Sequence, residues 1–232
     1  MSATLGFDTA TADTVVGTLN DGEAGEALIG PAPDGRPSHG RSLLPAIEAA
    51  VTAVGGWPAI GLIAVGVGPG SFTGLRIGIS TARALAQARR LPLAPVPTTT
   101  VLVAGIAQLE EAADRPRLAV IDARRGEVFV ALDRGDGDGE PLVVDPSRLA
   151  EQLEPDELSG ALAAGDGSLR FRSEIEAAGV EVLPDSSPAH RPSAERICLL
   201  GAARATVAVE RLVPLYLRRP DAERWHGRDR RN

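Results

Sequence analysis

The sequence predicts an α/β protein containing a duplicated three-strand meander with alternating helices. Three observations predict it. An apolar run of strand length that ends on an acid occurs twice, at 3–8 ending on Asp8 and at 118–122 ending on Asp122. Each run is followed by a hairpin, one further strand and then helix, strand, helix. The stretch 62–89 reads as a β-branched strand, a glycine-rich break and an alanine-rich helix. No solenoid period is visible.

In order, the strands at 3–8, 13–19 and 24–29 form an antiparallel meander with its turn at Asn20, Asp21 and Gly22. A Pro/Gly-rich loop at 30–37 leads to a helix over 38–54, with Leu43, Ile47, Val51 and Val54 on one stripe. Pro45 is placed near its first turn, where a missing donor costs least. Gly55, Gly56 and Pro58 end that helix. In the next helix Leu75, Ile79, Ala82 and Ala86 share one face, and Arg76, Arg83 and Gln87 share another. A short strand at 93–96 precedes a helix at 98–109, capped by one of Thr98, Thr99 or Thr100. The second meander runs through 118–122, 127–132 and 141–144, with a glycine-rich tip at 135–139. Then come a short helix to about 153, a strand near 162–164, a turn at 165–167 and a helix over 169–178. After a Pro/Ser-rich loop reaching 192, a long apolar helix spans 193–211 and an extended segment 213–217.

Length and composition bound the function. The 232 residues allow one large domain or two small ones. Hydrophobic residues make up 44% and aromatics only 3%, so the core must be built from Ala, Val, Leu and Ile. Every basic residue is arginine, and the net charge of −7 argues against a surface devoted to nucleic acid. Arg218, Arg219, Arg224, Arg228, Arg230 and Arg231 make the C-terminus a local exception, read as a solvated tail. The single cysteine, Cys198, lies in an apolar helical run and reads as core. No leader precedes Thr4 and no apolar run reaches bilayer length, so a soluble cytoplasmic protein is expected, with no membrane contact.

The glycine turn at 68–74 has two readings. Backbone N–H groups at a helix N-terminus stabilise anions, so the turn suits a phosphate. Equally, it is the tight corner that lets a buried strand feed a packed helix, and a lone glycine pattern favours the corner. Strand-terminal acids opposite such a turn are used by ATP-handling proteins to hold magnesium and phosphates. Asp8, Asp122, Gly68 and Gly70 are therefore the candidates for nucleotide contact, expected to share one cleft. The first hairpin, Thr9 to Ala12, lacks the glycine-and-lysine loop a kinase needs. The histidines, His39, His190 and His226, lie far apart and lack an i,i+4 partner, so no metal site is predicted. Ser71 lacks the strand–nucleophile–helix elbow. No catalytic residue is assigned.

Five blocks resemble a known family. They are Leu5 to Thr11; His39 with Leu43, Leu44 and Pro45; Gly66 to Gly78; Asp122 to Phe129; and Pro214 to Arg218. In this order and spacing the chain resembles the TsaB (YeaZ) family of tRNA threonylcarbamoyladenosine biosynthesis proteins, over nearly its whole length. The resemblance implies an actin-like, Hsp70-like ATPase (ASKHA) fold of two similar lobes, each a mixed sheet flanked by helices. It implies a noncatalytic paralogue of TsaD, the subunit that moves a threonylcarbamoyl group onto adenosine beside the anticodon of tRNAs reading codons that begin with A. TsaD-type proteins hold a metal with a His-x-x-x-His pair. Here those positions are His39 and Leu43, so the pair is broken.

The same resemblance implies a scaffold with a TsaD-type partner, a TsaE-type ATPase joining, a homodimer when alone, and tRNA reached indirectly. No intrinsic cofactor is expected; the partner subunits handle ATP or ADP. The older glycoprotease-like label finds no support in the residues. The partner face is expected on the helices at 38–54 and 72–89, through Leu43, Ile47, Val51, Leu75, Arg76, Ile79, Ala82 and Arg83. The lobes are placed at 1–97, carrying the partner helices, and at 98–192. The long helix and extended tail at 193–232 are expected to pack back on the first lobe. The alternative is a stand-alone ATP-binding phosphotransferase or hydrolase of the same fold.

Overall fold

A computed structural model describes residues 2–135, 139–153 and 155–218. The first sheet comprises β1 (Ala3–Asp8), β2 (Thr14–Asn20), β3 (Glu23–Ile29), β4 (Ile60–Gly66) and β5 (Leu93–Val96), in the order β3-β2-β1-β4-β5. The meander β1-β2-β3 is antiparallel, while β1–β4 and β4–β5 are parallel. The second sheet comprises β6 (Arg117–Asp122), β7 (Val128–Asp133), β8 (Leu142–Val144), β9 (Leu162–Ala164) and β10 (Glu181–Val182). Read from its meander edge, its order is β8-β7-β6-β9-β10, with the same senses at each pairing. This repeated topology is the actin-like ATPase architecture, two mixed sheets flanked by helices.

The crossovers follow from hydrophobic spacing. In α1 (His39–Ala53), Leu43, Ala46, Ile47 and Val51 are buried; in α2 (Phe72–Arg89), Leu75, Ile79, Ala82 and Ala86 are. Leu75 apart, these residues meet Leu5, Phe7, Ile63 and Val65 of the sheet in one core. The central strand β1 is buried throughout, as a strand covered on both faces must be. The second half covers its sheet with α4 (Leu149–Gln152), α5 (Pro155–Leu158), α6 (Asp166–Arg170) and α7 (Arg172–Ala177).

Two helices cross between the halves. The helix α3 (Thr98–Ile106) follows the first sheet but packs on β6, β7 and β9. The helix α8 (Ala194–Ala203) follows the second sheet but packs on β1, β2, β4 and β5. Cys198 on α8 is fully buried, its thiol donates to the Thr4 carbonyl at 3.3 Å, and burial pushes its pKa up to about 12.

Several elements differ from their sequence-based expectation. The last helix ends at Ala203 and does not reach 211. Arg204 is extended, and Val207 forms an antiparallel bridge to Leu93 at the edge of β5. Thr206, Val207 and Val209 are β-branched and lose side-chain freedom in a helix, so an open strand edge wins. The expected helix at 169–178 is two short helices broken at Phe171. Pro45 sits in the second turn of α1, not the first, and the Arg41 carbonyl it leaves unpaired belongs to an exposed residue. The expected glycine-rich tip lies outside the described residues at 136–138. So do the tail arginines beyond Arg218, and His226. No described helix is long and apolar enough to cross a membrane.

Candidate functional site

A cleft of about 630 Å³ opens between the halves. Its walls are the β1–β2 turn (Ala10, Thr11, Ala12), the start of α2 (Gly70 to Thr73, Arg76), the β6–β7 turn (Asp122 to Arg125) and Leu215 to Arg218. Gly70 and Asp122 therefore share one cleft. Asp8 and Gly68 do not line it.

Asp8 is 1% exposed. One carboxylate oxygen accepts from the Ala10 N–H at 2.5 Å, and the other accepts from the Thr98 hydroxyl at 2.7 Å. Burial raises its pKa to about 6, against the lowering effect of these bonds. The Thr98 side chain thus serves Asp8 rather than capping its own helix, whose N-cap is Pro97 with no side-chain bond. Asp122 is also engaged. Its carboxylate accepts from the Arg124 N–H at 2.8 Å and pairs with the guanidinium groups of Arg170 at 2.9 Å and Arg124 at 3.2 Å. The Asp122 N–H donates to Asp166 at 3.0 Å, and burial raises the Asp166 pKa.

The glycine turn has the geometry of a packing corner. Gly68 has φ of 96°, a region L side chains avoid, and its carbonyl accepts from the Thr98 N–H at 2.7 Å. A Cβ on Gly70 would run into the Ala10 carbonyl. That carbonyl accepts from the Ser71 N–H at 2.7 Å, and the Thr9 hydroxyl donates to the Gly74 carbonyl at 2.8 Å. Two donors at the helix start are used within the chain, the Ser71 N–H on Ala10 and the Gly74 N–H on the hydroxyl of Ser71, the N-cap.

The residues do not fit the metal pair of TsaD-type proteins. His39 is 3% exposed, and its Nδ1 shares a hydrogen bond with the Thr14 hydroxyl at 2.8 Å. Burial lowers its pKa, which keeps the ring neutral. One turn on, Leu43 is part of the core. Among the described residues no group of three or more His, Cys, Asp or Glu side chains is arranged to hold a metal ion. His190 is likewise internal: Nδ1 accepts from the Gly165 N–H at 3.2 Å and Nε2 faces the Pro184 carbonyl at 3.0 Å.

The expected partner face needs correction. Leu43, Ile47, Val51, Leu75, Ile79 and Ala82 are between 0% and 4% exposed, because both apolar stripes face the chain's own sheet. Only Arg76 and Arg83 of the eight lie on the outer surface. The outward apolar groups are Leu44, 56% exposed, and Phe72, 39% exposed.

The site also contains aromatic residues that lie in the family blocks but were given no role from the sequence. Phe72 and Tyr216 stack with centroids 5.2 Å apart, Arg76 lies 3.9 Å over the Phe72 ring, and its Nε donates to the Tyr216 hydroxyl at 3.3 Å. With Phe129, three of the chain's seven aromatic residues line this cleft. That scarcity, with their place in three of the five family blocks, was the available signal.

Residues 34–224 match the family described as TsaD, tRNA N6-adenosine threonylcarbamoyltransferase. The tRNA threonylcarbamoyladenosine biosynthesis protein TsaB of Escherichia coli is 35% identical over 225 residues, covering 92% of this chain and 94% of that protein. The Bacillus subtilis protein of the same name is 29% identical over 169 residues, 70% of this chain and 72% of its own. The solved structure of YeaZ from Pseudomonas aeruginosa superposes with a TM-score of 0.75 at 28% identity, covering 94% of this chain and all of that one. Matched by sequence blocks, fold and relatives alike, the chain belongs to the TsaB (YeaZ) family.

Proposed function

We propose that this protein is a noncatalytic scaffold subunit in the formation of threonylcarbamoyladenosine on tRNA. It pairs with a TsaD-type paralogue, and a TsaE-type ATPase joins the pair. Alone, it forms a homodimer. ATP or ADP is handled by the partner subunits, and tRNA is reached through them. The observation that carries this reading is the state of the strand-terminal acids. Asp8 is buried off the cleft wall and Asp122 is neutralised by two arginines. A magnesium–phosphate centre needs such carboxylates open to the cleft. The apolar Leu43 at the second metal-ligand position of the TsaD-type helix points the same way.

The docking face in this proposal is the outer side of α1 and α2. Leu44, Glu48 and Ala49 on α1 and Arg83 and Ala84 on α2 are exposed. Adjacent helices of 15 and 18 residues give a rigid base for a standard interface of roughly 800 Å² per partner. The experiment is reconstitution. TsaD and TsaE with this chain are expected to modify tRNA over repeated turnovers, and without it to make little product. Equal product in its absence removes the scaffold role. Heat released on titrating the isolated chain with magnesium-ATP, followed by turnover, would favour the phosphotransferase or hydrolase reading instead.

A further inference from the structure

We propose that residues 212–218 form a clasp that sets how far the cleft opens. The segment begins in the first half and ends in the second. Leu212 is buried in the core beneath α1 and α2. The Leu215 N–H donates to the Val67 carbonyl at 2.8 Å, just beyond β4. Tyr216 stacks on Phe72 in the first turn of α2 and accepts from Arg76. Two residues later the contacts change sides. Leu217 packs against the cluster that contains Ala119, Ile121 and Phe129. Arg218 donates to the Ala123 carbonyl at 2.9 Å, pairs with Glu127 and lies 5.9 Å from the centre of the Phe129 ring. Thus Tyr216 holds the first half and Arg218 the second, along one wall of the cleft.

Two other cations of the cleft are engaged as well. Arg76 is engaged by Tyr216 and Arg124 by Asp122. The clasp is built to release without unfolding either core. Tyr216 is 39% exposed and the Arg218 side chain 28%, so both grips compete with water, unlike the buried anchor Leu212. With the clasp seated, the halves and the outer faces of α1 and α2 move as one body. Unseated, the halves are still joined through α3, α8 and the cleft turns, and the cleft widens.

The test reads the distance between the halves. Spin labels are placed on the exposed positions Ala49 (α1) and Ala177 (α7), each changed to cysteine; Cys198 is buried and stays unlabelled. Labelled protein is diluted with excess unlabelled full chain, so that only distances within one molecule are read. The otherwise native chain is expected to give one narrow distribution. Tyr216→Ala with Arg218→Ala is expected to broaden it and shift it longer by more than its native width, with an unchanged circular dichroism spectrum. An unchanged distribution in the folded double variant overturns the proposal. Should that variant not fold, hydrogen exchange on the unaltered chain decides. The Leu215 amide, bonded to the Val67 carbonyl, is expected to exchange faster than those of β1. A Leu215 amide as slow as β1 overturns the proposal.

Discussion

The two halves share one strand order and differ in what crosses between the strands. In the first half the crossovers are α1 and α2, helices of 15 and 18 residues. In the second, each crossover is a pair of short helices, α4 with α5 and α6 with α7, none longer than six residues. A helix of one turn can cover a sheet but has little outward surface of its own. Long amphipathic helices do both: the inner stripe fills the core and the outer face is left rigid and free. One topology thus yields a half with long outward helix faces and a half with little outward helix surface. The paired acids differ in the same spirit. Asp8 is sealed among neutral donors, whereas Asp122 is held by arginines that are 52% and 64% exposed.

The largest expected effect sets the inner face of α1 apart from its outer face. Leu43→Ala removes a side chain 1% exposed and is expected to cost about 2–5 kcal/mol, read from denaturant melts. A cost near that of a surface change would mean that α1 does not seal the first core.

Next comes the pH dependence of Asp8. Its folded pKa of about 6 lies above the ordinary carboxylate value of 3.8, so the folded state binds the proton more tightly. The sign follows: stability is greatest below about pH 4 and falls as pH rises toward 6, by about 3 kcal/mol in total. Asp8→Asn stays neutral throughout, so the difference between wild type and variant is expected to follow that fall and then level off. Asp166, also raised by burial, acts in the same direction and remains in both proteins. A flat difference from pH 4 to 7 would show that Asp8 is not sealed.

Arg170→Ala sharpens the contrast between the acids. Its pair with Asp122 is half exposed, so the expected cost is below about 1 kcal/mol and shrinks in high salt. The smallest stability effect is Leu44→Glu. It is expected to move the melting free energy by no more than about 0.5 kcal/mol, yet to weaken pairing with a TsaD-type partner roughly tenfold or more in a binding titration.

Much of the fold was legible because it is written locally. The acid-ended strands, the hairpins, the glycine corner and the stripes of α1 and α2 each follow from spacing within a few residues. Periodicity tells that a helix has an apolar stripe, but not whether sheet or partner covers it. Hence six of the eight expected partner residues proved to be core. The apolar run after Ala203 looked helical because hydrophobicity alone does not register the free edge of β5. The clasp left no local trace, since Tyr216 meets Phe72 and Arg76 some 140 positions away, and Asp122 meets Arg170 at a separation of 48. Contacts of that kind become visible only once the chain is folded.

The most direct measurement is threonylcarbamoyladenosine formation over repeated turnovers by a TsaD-type and a TsaE-type protein with the Asp8→Asn chain in place of the native one, at pH 7 and with folding verified. An acid that serves only the interior of a scaffold predicts product at the native rate. A loss of a hundredfold or more in the folded variant would contradict the account, because Asp8 would then be part of the chemistry.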